Sequence, residues 1–357
     1  MKNLLFLLVF LSFQTLNAQN VTLEQLMSAP FYSTISVSPK GNRVVWLKNE
    51  RGVRNIEIAD APDFKPRLLT HFDADDGVEI ANFQWTKDEN ALFFVRGNAP
   101  QVRAREPHNP AHLLEGTTPT IFKINIADGK TVKIANGSTP SVSPDGMRLI
   151  FMKSGQIFSK NADDTLAAKQ LTQIRNGCGS VRLSPDGSKL AFVSSRGGHS
   201  FVGIFDFKQT DYKFLNPSTD RDIEPAWSPD GSELAFIKIR NDGEKHVMFT
   251  PERQTEPWSI VVANVSTGKT RTVFTAEKGV GSVFHEHNGA QQLLWTADNR
   301  LVFPYEKTGW LQLYTVSATG GETALLSSRG AANANFDWNS KKSSVGQPTK
   351  RLRPLQN

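Results

Sequence analysis

Few side chains in this sequence stand at spacings that do chemistry. His285-Glu286-His287 sets two imidazoles on either side of a carboxylate. A zinc site there would need a further ligand from elsewhere in the chain. The other histidines are scattered, with no HExxH motif and no carboxylate cluster of calcium-loop type. The triplet therefore reads as a solvated loop, and no metal or other cofactor is expected. Cys178 is the only cysteine. An intrachain disulfide and a Cys-based zinc or iron–sulfur centre are excluded. No histidine or base accompanies the thiol in Asn176-Gly177-Cys178-Gly179, so it reads as idle. A phosphate cradle of the form GxxxxGK[ST] is missing. So is the nucleophile elbow G-x-S-x-G; the nearest stretch, Gly198-His199-Ser200-Phe201-Val202, has valine where the last glycine belongs. What remains are groups suited to a peptide or protein ligand: Arg103, Arg105, Glu106 and His108 in one polar stretch, and Arg196 with His199 in another.

The elements that would position them come from a repeat. Ser143-Pro144-Asp145-Gly146 precedes MRLIFM, Ser184-Pro185-Asp186-Gly187 precedes SKLAFV, and Ser228-Pro229-Asp230-Gly231 precedes SELAFI. Ser38-Pro39-Lys40-Gly41 before NRVVWL is a fourth copy. Trp85-Thr86-Lys87-Asp88 and Trp295-Thr296-Ala297-Asp298 keep the frame in degenerate form. The third residues of these turns fall at 40, 88, 145, 186, 230 and 298, at spacings of 48, 57, 41, 44 and 68. Ser, Pro and Gly at these places are the preferences of a type I turn, so the recurring Asp reads as a turn residue. The apolar run that follows is too short for a helix and lacks its period, so it reads as a strand buried on both faces. Alternating strands follow, such as IFKINIA at 121–127 and WSIVVANV at 258–265.

Four antiparallel strands per repeat with no helices between predict an all-β fold, a propeller of about six four-stranded blades. A β-sandwich would alternate without so strict a repeat. The blades start near residues 33, 79, 137, 179, 222 and 291, after a lead-in over 19–32. Insertions interrupt at Gly97–Pro119, Arg240–Pro257 and Ala276–Gly289. Loops between second and third strands, and connections between blades, leave a meander on the same side. All three insertions, and with them Arg103, Arg105, Glu106, His108, Arg196 and His199, are thus expected at one end of the propeller, where loops on a rigid scaffold carry function. The propeller is expected over 33–326. Beyond it, 327–357 reads as a disordered basic tail. Phe336-Asp337-Trp338 offers the start of an incomplete seventh blade, with no paired strand after it, so an open ring is one expected outcome.

Residues 1–18, MKNLLFLLVFLSFQTLNA, have a basic start, an apolar centre and a small residue at Ala18. That is a signal peptide, cleaved after about Ala18. Its apolar run is short of the roughly 20 residues that span a bilayer, and no membrane span is expected. The chain reads as exported, periplasmic or secreted. Its 41 basic and 35 acidic residues give a net charge of +6. Lys2 leaves with the leader; Arg329, Lys341, Lys342, Lys350, Arg351 and Arg353 lie in the tail with one acid, Asp337. The remainder is 34 basic against 34 acidic residues. A neutral propeller argues against a nucleic-acid partner.

The repeat behind a leader resembles the propellers of exported TolB-like proteins and of prolyl oligopeptidase-type serine peptidases, the dipeptidyl and acylaminoacyl peptidases among them. Asp222-Ile223-Glu224-Pro225-Ala226-Trp227-Ser228, Glu256-Pro257-Trp258-Ser259-Ile260 and Gly309-Trp310-Leu311-Gln312-Leu313-Tyr314 are similar to the dipeptidyl-peptidase type. The resemblance covers residues 21 to about 326. It implies a propeller that gates short peptides toward a C-terminal α/β-hydrolase domain. That domain has no counterpart in this sequence, and the Glu-Glu pair that many dipeptidyl peptidases use is missing too. The expectation is a non-catalytic, substrate-gating and interaction portion of an exported peptidase, truncated or frame-shifted before its catalytic half and inactive alone. The alternative is a free-standing TolB-like periplasmic propeller that binds or scaffolds proteins. Its partners would be a peptide or protein ligand, a separate hydrolase domain or an envelope protein.

Overall fold

The apolar runs after the turns form the second strand of each blade and are buried on both faces. In Lys189–Ser195, Leu190 and Phe192 enter the core shared with the preceding blade, while Ala191 and Val193 enter the core shared with the next. Leu234 and Phe236 likewise face one way and Ala235 and Ile237 the other in Glu233–Ile239. A strand alternates sides with period two, so an unbroken apolar run serves two interfaces at once.

A computed structural model describes residues 22–98, 117–162, 167–241, 258–279, 283–286 and 291–327. It shows six four-stranded antiparallel blades whose inner strands begin at Phe31, Glu79, Ser138, Gly179, Arg221 and Leu294. The expected architecture and blade starts hold. Blades four and five are fused into one eight-stranded sheet by a single parallel pairing, Ser200 with Arg221. The leader at 1–18 and the residues Phe336–Trp338 lie outside the described residues. Within the lead-in stands one short helix, Leu23–Met27, whose N-terminus is closed by a Thr22–Gln25 capping box.

Five hydrophobic clusters fill the five gaps between successive blades, and none of them joins blade six to blade one. Among the described residues the ring is open on this side. Tyr32, Ile35 and Val37 of blade one's inner strand are exposed there.

The recurring Asp is a turn residue. In blade four, Gly187 N–H donates to the Ser184 carbonyl at 2.8 Å with Gly187 at φ +72°. Ser184 Oγ donates to Asp186 Oδ1 at 2.6 Å, and the Ser188 N–H donates to the same oxygen at 3.0 Å. The Ser184 hydroxyl is the main reason the Asp186 carboxyl sits low, at about 2. Where Lys40 replaces the acid, Asn42 Oδ1 accepts from Ser38 Oγ instead, at 3.0 Å.

One repeated feature has no obvious composition signal. Thr34, Asn82, Thr139, Ser180 and Glu224 all have left-handed backbone, φ +47° to +57°. Each stands four residues before the Ser or Thr that opens its blade's turn. Each lies where the pairing of inner and second strand shifts register. These are β-bulges, which bend the inner strand and sharpen its twist. Non-glycine residues tolerate this only where surrounding pairing over-determines it.

Gly203 marks a tight contact in blade four. It pairs with Phe192 across the strands, and a Cβ there would lie 2.4 Å from Phe192 Cζ. Gly203→Ala is expected to cost about 1–3 kcal/mol through overpacking. The midpoint of urea unfolding checks this; an unchanged midpoint would show that Phe192 has room to move.

Candidate functional site

The two ends of the propeller differ in chemistry. One carries the Ser-Pro-Asp-Gly turns, whose carboxylates are satisfied within each turn. The other gathers the turns between second and third strands and the connections between blades. Direct contacts link these loops. Arg196, in the blade-four turn, donates from Nη1 to the Arg175 carbonyl in the connection before that blade, at 2.8 Å. The Asn241 N–H, at the end of blade five's second strand, donates to Asp220 Oδ1 at 3.3 Å. Arg221 Nη2 pairs with Glu286 Oε1 at 2.6 Å. His285 Nε2 lies 2.6 Å from Glu306 Oε2.

Of the expected site residues, Arg196 and His199 stand in the blade-four turn. The Arg196 guanidinium lies 5.9 Å and 5.8 Å from the rings of Phe201 and Phe214, and the His199 ring is 5.2 Å from Phe201. Arg103, Arg105, Glu106 and His108 lie outside the described residues, as does His287. Ser200 is no elbow nucleophile: it opens the third strand of blade four and donates its Oγ to the Asp222 carbonyl at 2.7 Å.

The base of the blade-two insertion is a cleft of about 500 Å³, lined by Asp76, Arg96, Thr118, Thr120, Lys133 and Asn136 among others. Arg96 forms an ion pair with Asp76. Its guanidinium stacks 4.3 Å from the centre of the Phe72 ring, which fixes its orientation. The cleft thus holds Lys133 and an Arg96 already paired with Asp76, beside the hydroxyls of Thr117 and Thr118. The insertion that holds Arg103, Arg105, Glu106 and His108 springs from this cleft.

A second polar group lies at the junction of blades four and five. Asp222 is fully buried. Lys238 Nζ stands 2.7 Å from its Oδ1, as an ion pair rather than an aligned hydrogen bond. Lys238 also donates to Ser218 Oγ at 3.0 Å and lies 3.7 Å from Asp220 Oδ2. Burial pushes the Asp222 carboxyl up to about 6, and Lys238 opposes the shift. One blade further, Glu224 accepts from the Gln292 N–H at 2.8 Å, and burial raises its carboxyl.

Sequence reasoning missed this group because its members are ordinary residues until the strands pair. One signal was available: Asp222 and Glu224 are two acids in an inner strand whose frame is otherwise largely apolar. Among the described residues no three His, Cys, Asp or Glu side chains are placed to hold a metal. His285 and Glu286 are each engaged with a different partner. Burial pushes the half-buried Cys178 thiol up to about 11, which leaves little thiolate at neutral pH.

No family model matches the chain, and no curated protein matches it in sequence. Solved structures do match in fold. A prolyl endopeptidase aligns at TM-score 0.59 and 12% identity, covering 85% of this chain and 43% of its own. The dipeptidyl peptidase 4 of Porphyromonas gingivalis aligns at TM-score 0.57 and 14% identity, covering 83% and 47%. The TolB of Acinetobacter baumannii aligns at 0.44 and 19% identity, covering 85% and 65%. The chain thus spans less than half the length of these peptidases and about two thirds of that TolB. It has the β-propeller fold found in the propeller regions of the two peptidases. No helix among the described residues is long and apolar enough to cross a membrane.

Proposed function

We propose that this propeller, residues 33–326, is the substrate-gating and interaction portion of an exported serine peptidase of the prolyl oligopeptidase type, without catalytic groups of its own. One observation carries the reading: the described loops at one end are joined by polar and charged contacts, while the carboxylates at the other are consumed by their turns. The loop end then presents Arg96 in the blade-two cleft, and Arg196 and His199 in the blade-four turn, to the termini or carbonyls of short peptides. The fold likeness to the peptidase propellers supports this, as does the absence of G-x-S-x-G from the sequence. The leader at 1–18 supports export.

Short unblocked peptides should shift backbone amide resonances at the loop end only. Shifts confined to the Ser-Pro-Asp-Gly end would overturn the assignment. A fluorophosphonate probe should not label the purified chain; labelling would show a nucleophile this reading denies. Expressed with its leader in a bacterium, the mature chain should begin after about Ala18.

A further inference from the structure

A pocket of about 210 Å³ lies between blades one and two, beside the cleft at the base of the blade-two insertion. Leu69, His71 and Phe72, from the connection that leaves blade one, line one side. Phe94, Arg96 and Phe122, from the second and third strands of blade two, line the other. Phe94 is fully buried and stacks on Phe122, with ring centres 5.5 Å apart. Phe72 and Phe122 are only partly buried, so part of the apolar lining stays open. Thr70 spends its hydroxyl inside blade one: it accepts from the Ile56 N–H at 2.8 Å and donates to Asn55 Oδ1 at 2.9 Å.

Size and lining select the occupant. An apolar cavity of about 150 Å³ lined by aliphatic and phenyl side chains takes up benzene. A pocket of about 210 Å³ bordered by three phenylalanines has room for one phenyl ring and its methylene. Charge selects what the ring is attached to. Arg96 and Phe122 line both this pocket and the cleft. In the cleft the Asp76 carboxylate is already paired with Arg96, which leaves the exposed Lys133 ammonium as the uncompensated charge among the described lining residues. Lys133 stands directly across from Phe122 in the pairing of third and fourth strands, so the cation adjoins the phenyl lining. The wall shared by pocket and cleft is also one acceptor short: the Arg96 Nε is buried without a hydrogen-bond partner among the described residues.

We propose that this pocket binds the phenyl side chain of a peptide's C-terminal phenylalanine, with the terminal carboxylate held at Lys133 in the adjoining cleft. This rests on the peptide-binding reading above and names the class of peptide. The ring supplies affinity by leaving water, and the carboxylate fixes the direction in which the peptide lies.

Titration calorimetry of the full chain with Ala-Ala-Phe, Ala-Ala-Ala and the C-terminal amide of Ala-Ala-Phe tests this. Ala-Ala-Phe should bind about tenfold or more tightly than Ala-Ala-Ala, from burial of the ring. Amidation should weaken binding about two- to fivefold, and Lys133→Gln should weaken the free acid by the same factor and leave the amide unchanged. His71→Trp puts a larger ring into the lining and should bring the affinity of Ala-Ala-Phe down to that of Ala-Ala-Ala. His71 and Lys133 are both exposed, so neither variant should shift the melting temperature. Equal affinities for Ala-Ala-Phe and Ala-Ala-Ala would overturn the pocket and leave the peptide-binding reading standing. Binding of neither would overturn both. A preference for Ala-Ala-Phe that survives His71→Trp would place the ring elsewhere, and an amide that binds as tightly as the acid would remove Lys133 from the site. Binding of 3-phenylpropionate as tight as that of Ala-Ala-Phe would overturn the peptide in favour of a small aromatic acid.

Discussion

Trp258→Ala is expected to be among the most damaging single substitutions in the ring. The indole is 1% exposed. It lies at the centre of the core between blades five and six, with ring centres of Phe274 and Phe284 at 5.0 Å, Phe303 at 5.8 Å and Tyr305 at 5.9 Å. Truncation removes the transfer energy of the side chain and leaves a cavity that these rings, held by their own neighbours, do not refill. The cost is about 3–5 kcal/mol, and the melting temperature falls by on the order of 10 °C. Trp258→Phe should behave differently. The indole Nε1 is buried without a hydrogen-bond partner among the described residues, so a phenyl ring also removes an unsatisfied donor. That variant should lose less than about 1.5 kcal/mol. Urea unfolding of both variants separates the effects. Equal losses would show that the missing hydrogen bond has no energetic weight.

Lys238→Met should be nearly as costly, but only above a certain pH. Asp222 is fully buried, and Lys238 stands 2.7 Å from it. Removing the ammonium leaves a buried carboxylate with no counter-ion at that distance, a loss of about 3–5 kcal/mol when the acid is ionised. The sign with pH follows from the direction of the shift. The Asp222 carboxyl is raised to about 6 in the fold, above its unfolded value of about 3.9. The folded state therefore holds the proton more tightly. Below about pH 4 the acid is neutral in both states and ionisation costs nothing. Stability is lost as pH rises through the folded value near 6. Without Lys238 the carboxyl rises further, so the variant's deficit should be largest at pH 8 and should shrink at pH 5. Asp222→Asn removes the titration, and its stability relative to wild type should improve between pH 4 and 7. Unfolding midpoints across this range check both, and a Lys238→Met deficit constant with pH would overturn the assignment to Asp222.

What could be read before folding and what could not divide by the range of the interactions. The turns were legible because their chemistry is local: Ser184 and Asp186 stand two residues apart, and Gly187 supplies a positive φ that most residues resist. The second strands were legible because an apolar run of four or five residues, such as LIFM or LAFV, has only one way to be buried on both sides in a repeat of this length. The bulges were not, because Thr, Asn, Ser and Glu share no propensity for left-handed backbone strong enough to announce it. Their conformation comes from the pairing on either side. Arg196 and His199 stand in the turn between Lys189–Ser195 and Ser200–Asp206, a position that follows from strand count.

By itself the sequence determined the blade unit, the number of repeats, and that no G-x-S-x-G stretch occurs in it. The tertiary structure alone decided which charges meet. Asp222 with Lys238, Arg221 with Glu286 and His285 with Glu306 join residues 16, 65 and 21 positions apart. It also fused blades four and five at Ser200 and Arg221, and among the described residues left Ile35 and Val37 of blade one's inner strand exposed. The reason is physical. Propensity and period act over a few residues, whereas desolvation and ion pairing depend on which surfaces stacking removes from water.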